Sequence, residues 1–78
     1  PNPFNPTTSI KFDITQKSYV ELKIFDVLGR EIEIIVHQQL RQGKYEVQWN
    51  ASDHSSGVYF YTLSAGDFRE TKKMMLTK

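Results

Sequence analysis

Asp53, His54, Ser55 and Ser56 are consecutive and contain the letters of a hydrolytic triad. A working relay needs nucleophile, base and orienting acid converging from separate elements, which neighbours on one loop cannot supply. A solvated turn is expected there. The two histidines, His37 and His54, have no ligand spacing around them, so no metal site is expected. Glu31 and Glu33 stand two residues apart, which on a strand puts both carboxylates on one face. A wet face explains that pair better than general acid–base work. Asn50-Ala51-Ser52 matches the glycan-acceptor pattern, a pattern common by chance. There is no glycine-rich phosphate cradle. The chain is not expected to be an enzyme, and no cofactor is implied.

Composition narrows the classes further. With 78 residues there is room for one domain. Lys+Arg 10 against Asp+Glu 9 gives a net charge of +1, far from the basic excess of a nucleic-acid binder. Cysteine is absent, which excludes disulfides, thiolate metal sites and cysteine nucleophiles. No apolar run approaches the ~20 residues of a membrane-spanning helix, and no signal-peptide pattern opens the chain. It begins at Pro1 rather than Met and is expected to be a piece of something longer. Hydrophobic residues at 38% and aromatics at 13% are too rich for a disordered tail. Apolar burial in a chain of this size stabilises by on the order of 120 kcal/mol. Ordering it costs about 117 kcal/mol at ~1.5 kcal/mol per residue. So marginal a domain has little room for a buried polar catalytic site.

The elements that must position any site are strands. Ile10, Phe12 and Ile14 alternate with polar residues, as do Val20, Leu22 and Ile24, and then Tyr45, Val47 and Trp49. Ile32, Ile34 and Val36 alternate with Glu31, Glu33 and Ile35, so that strand is expected to be covered on both faces at its end. Val58–Leu63 is apolar or aromatic on both faces and predicts a central strand. In the weaker run Phe68–Thr77, Met74 and Leu76 are expected inward, with Lys73 and Met75 outward. Asp26-Val27-Leu28-Gly29 predicts a type I turn closed by a left-handed glycine. Ala65-Gly66-Asp67 predicts a hairpin, while Gln38–Lys44 and Asn50–Gly57 predict loops. All three prolines lie in the first six residues, so residues 1–7 should run as an extended Pro-rich segment. The sum is an all-β, antiparallel β-sandwich of six to seven strands. A seventh strand would come from Asn2–Pro6 or Gln38–Leu40.

Three features have a functional reading beside the structural one. The PNPFNP start is either a rigid linker or a recognition strip. Val27 and Leu28 at a hairpin tip are expected to fold back over the end of the sandwich; the other reading is a docking knob. Lys72, Lys73 and Lys78 serve either to protect an edge strand from aggregation or as a cationic segment read by a partner.

Taken in order, PNPFNPTTSIKFDI, VELKIFDVLGREI and SGVYFYTLSAGDFRETKKMMLTK resemble the C-terminal sorting domain of cargo proteins of the type IX secretion system. The likeness runs over essentially all 78 residues. The family is similar in turn to the immunoglobulin-like domain of the flagellar hook-capping protein. The resemblance implies an immunoglobulin-like β-sandwich, a single domain over 1–78, and a non-catalytic address label fused behind a larger cargo. It implies passage through the periplasm of a Gram-negative bacterium to the cell surface or beyond. The implied partners are an outer-membrane translocon, a shuttle protein and a sortase that removes the domain, with cleavage upstream of Pro1 or near it. By position the initial motif matches Pro1, Asn2 and Pro3; the central motif matches Asp26, Leu28, Gly29 and Arg30. The final motif matches Gly57, Tyr59, Lys73 and Leu76, with Lys72 beside it and Lys78 at the terminus. Of these, Gly29, Gly57 and Tyr59 are expected mostly to serve the fold, and Arg30 to present a planar donor fork outward. The loop before Gly57 is shorter than the Asn/Asp/Gly-rich version of many relatives, so the resemblance gives little support to a ligand or calcium at that loop.

Two other classes compete. A hook-cap-like scaffold would have sequence on both sides of this domain. A carbohydrate-binding module would need an exposed aromatic platform, for which Tyr59 and Tyr61 are the remaining candidates once Trp49, in phase with Val47, is placed inside.

Overall fold

Each alternating run becomes a strand in the computed structural model, which describes residues 7–77. In chain order these are β1 (Thr7–Ile14), β2 (Ser18–Phe25), β3 (Glu31–Leu40), β4 (Gly43–Asn50), β5 (Gly57–Ala65) and β6 (Phe68–Leu76). No helix occurs among the described residues. Pro1, Asn2, Pro3 and Lys78, and most of the expected Pro-rich segment, lie outside them. Thr7, the last residue of that segment, pairs with Asn50 at the start of β1. Gln38–Leu40 is no seventh strand; it prolongs β3, opposite Ser18–Val20 of β2.

The strands form two antiparallel sheets, β1-β4 and β3-β2-β5-β6. Together they make an immunoglobulin-like sandwich. Ile10, Phe12 and Ile14 from the small sheet are buried against Val20, Leu22 and Ile24 from the large one. Trp49, 1% exposed, is the largest fully buried side chain. β5 is central, as its two apolar faces require. Tyr59, Tyr61 and Leu63 take its inner face and pack in or against the core. The exposed aromatic platform that a carbohydrate module would need is therefore missing at Tyr59 and Tyr61.

One strand departs from simple alternation. In β3 the register against β2 slips twice, so that Ile35 and Ile32 are passed over between paired residues. A bulge inserts one residue on one strand and reverses the faces beyond it. Ile34 consequently lies opposite Lys23 and is exposed, while Glu33 lies opposite Ile24 on the core side. Glu31 and Glu33 do not share a face. Glu31 pairs outward with Lys23 at 3.5 Å, and Glu33 accepts the indole N–H of Trp49 at 2.9 Å.

The poles of the sandwich differ. At one, residues 15–17, 41–42 and 66–67 make short connections. Gly66, with φ 60 at the first central position, suits the two-residue hairpin turn whose twist matches its strands. At the other pole lie the Asp26–Arg30 hairpin, the loop 51–56, and the strand ends Thr7 and Leu76.

Candidate functional site

The Asp26–Arg30 hairpin is built around one carboxylate. Gly29 N–H donates to the Asp26 carbonyl at 3.0 Å, closing the turn, and Asp26 N–H donates to the Arg30 carbonyl at 3.0 Å. Gly29 has φ 83, a left-handed conformation that a Cβ disfavours. Asp26 Oδ1 accepts the backbone N–H groups of Leu28 and Arg30, each at 2.9 Å. Its Oδ2 accepts Arg30 Nε at 2.7 Å. The Arg30 backbone N–H is the main cause that holds the Asp26 carboxyl below its ordinary value of 3.8. Desolvation pushes the other way, and the Arg30 side chain and Leu28 N–H lower it further.

This frame presents Val27 and Leu28 to solvent, at 68% and 74% exposure. They do not fold back over the sandwich. With the tip braced by five hydrogen bonds around Asp26 and Arg30, the turn stands upright instead. Arg30 is outward as expected, but one nitrogen of its fork is already engaged by Asp26; its side chain stays 73% exposed.

Facing the hairpin is the loop 51–56. Ser52 N–H donates to Asn50 Oδ1 at 3.0 Å and His54 N–H to the Ala51 carbonyl at 3.0 Å. The His54 ring lies 5.6 Å from Trp49 and 6.2 Å from Tyr59, which meet each other edge-on at 5.2 Å. Tyr59 is buried and gives its hydroxyl to the Ser55 carbonyl at 2.6 Å, tying the loop to β5. Between hairpin and loop opens a cleft of about 530 Å³. Val27, Leu28, Arg30 and Ile32 line one wall, and Asp53, His54, Ser56 and Val58 the other.

The motif residues thus divide. Asp26, Leu28, Gly29, Arg30, Gly57 and Tyr59 line or frame this one cleft. Leu76 is buried opposite Gly57 at the same pole. Lys72 and Lys73 lie apart, exposed along β6, with Lys73 on the outer face opposite Phe60 and Lys72 on the inner face opposite Tyr61. The tail is not held away from the body; β6 pairs with β5 from Phe68 to Leu76 and leaves only its outer edge open. Sequence reasoning missed Ile32, Val58 and the Asp53–Ser56 wall as parts of one cleft with the hairpin. The sole hint was the pair of apolar residues at the tip. Among the described residues no group of acids and histidines is arranged to hold a metal.

The described residues form an immunoglobulin-like β-sandwich in which the central motif and the start of the final one meet at one pole. The model of the secretion system C-terminal sorting domain matches residues 1–77, and the chain belongs to that family, the sorting domains of type IX secretion. No curated protein and no solved structure matches the chain. Membership implies interaction with the secretion system and a secreted or cell-surface destination. Domains of this family are generally non-catalytic. No described helix is long and apolar enough to cross a membrane.

Proposed function

We propose that the chain is the address label of a larger cargo fused ahead of it, directing that cargo from the periplasm through the outer-membrane translocon of a Gram-negative bacterium. A shuttle protein and a surface sortase then receive it, and the sortase removes the label. The observation that supports this reading is the gathering of the central motif and the start of the final one around a single cleft, on a domain of the sorting family. The lysines of β6 and its unpaired edge offer a second contact, a sheet edge open to strand addition.

The test is a reporter carrying a signal peptide and fused ahead of residues 1–78, expressed in a host with a type IX system. Surface display is expected. Removal of residues 71–78 should strand the reporter in the periplasm, but that deletion also strips β5 of its neighbour. The paired change Lys72→Glu and Lys73→Glu, which keeps the strand, separates loss of recognition from loss of fold. Normal export of both variants would overturn the proposal.

A further inference from the structure

The two sheets are unequal, with two strands lying over four. Trp49 of β4 reaches Glu33 of β3 at 2.9 Å, which sets β4 over the β3 side of the large sheet. β1 therefore lies toward β6, and a cleft of about 390 Å³ opens between Phe12 of β1 and Phe68, Glu70 and Lys72 of β6. Glu70 stands opposite Leu63 and Lys72 opposite Tyr61 in the ladder, so both point to the core side. Phe68, opposite Ala65, points the same way and is nevertheless 53% exposed. This inner row meets solvent because no strand of the small sheet lies above it. Among the described residues β1 pairs with β4 alone, so its other edge presents backbone N–H and C=O groups.

From this mismatch we infer that the cleft takes an extended segment of a partner protein, added to β1 as a third strand of the small sheet, whose side chains read apolar, basic, acidic at every second position. The strand form follows from the open edge of β1. A strand paired there lies one layer above β6 and turns alternate side chains down onto it. A lipid or a nucleic acid offers no such ladder. The order of side chains follows from the row beneath. A strand antiparallel to β1 runs in the direction of β6 and so meets Phe68, then Glu70, then Lys72. Neither Glu70 nor Lys72 is ion-paired among the described residues, and both are exposed. A cation over Glu70 and an anion over Lys72 are complementary, whereas the reverse order sets like charge on like. The inference goes beyond the route proposed above and does not depend on it.

The probe is a blocked heptapeptide, Thr-Ile-Thr-Lys-Ser-Glu-Thr, titrated into isotopically labelled 78-residue protein and followed by amide chemical shifts. Shifts are expected on both walls, at residues 9–13 and 68–72. Binding should be roughly fivefold weaker for Thr-Ile-Thr-Glu-Ser-Lys-Thr, which has the same composition with the charges exchanged. The double change Glu70→Lys and Lys72→Glu should reverse that preference. Phe68→Ala, a milder change that keeps both charges, should weaken the two peptides alike. Equal response to the two peptides, a preference that survives charge reversal, indifference to Phe68→Ala, shifts confined to β6, or no response at millimolar peptide would each overturn the inference. Concentration-dependent shifts of the same residues without peptide would give the cleft to a second copy and overturn it too. No secretion machinery enters the titration, so its failure is separate from a failure of the reporter to reach the surface.

Discussion

Asp26 spends one carboxylate on three donors, and the consequence can be read against pH. Its native pKa lies below the ordinary 3.8, so the folded state binds that proton less readily than the unfolded chain. The stability this gives is present at neutral pH and is lost as the pH falls below about 4 and through the lowered native value. Urea unfolding at a series of acid pH values should therefore show a steeper loss for the native protein than for Asp26→Asn. Parallel curves would remove the clamp from the account. Glu33 gives a second prediction. Glu33→Ala leaves the Trp49 indole N–H without its partner and should destabilise by about 1–3 kcal/mol, whereas Glu33→Gln, which keeps an acceptor, should recover most of that. The Asp26 turn was legible in the sequence because Asp, Gly and their spacing each have a local mechanism. The Glu33 bond was not. It depends on two bulges, and nothing in Glu31–Val36 marks which residue the ladder will pass over.

At the scale of the strand, the free edges are guarded by different means. β3 is broken by its bulges, and β6 carries Arg69, Lys72 and Lys73. Lysine on an edge opposes pairing with another chain. Replacing Lys72 and Lys73 by Val would leave an apolar run through Met74, Met75 and Leu76 on an exposed edge. Light scattering should then show concentration-dependent association, with the monomer's circular dichroism unchanged at high dilution. A variant that stays monomeric would mean the lysines are there for another reason. All six strands were legible because alternation is a local signal, and the sandwich followed from one wet face per strand. Two things were not. Val27 and Leu28 alternate with nothing, so only the bonding at Asp26 shows that they stand clear. The cleft needs residues 27 and 58 to be neighbours, a fact of sheet order that no local pattern carries.

Across the whole molecule, the asymmetry of the poles is the fact with most reach. Three short connections close one pole, while the described chain both starts and finishes its sheets at the other. Thr7 belongs to one sheet and Leu76 to the other, and packed sheets stand about 10 Å apart. A permuted chain, joined from 77 to 7 through a short glycine linker and opened between Gly66 and Asp67, should keep its strands and unfold in one cooperative step. Fused behind the same reporter, it should fail to export, because β6 then precedes β1 and no longer follows β5 in the chain. Export at the native level would show that the pole is read without regard to strand order. If a sortase severs cargo from label as proposed, a cut just ahead of β1 falls at the same pole where β6 runs out. Grip on β6 and the cut can then belong to a single encounter, with no need for the released domain to turn over between them.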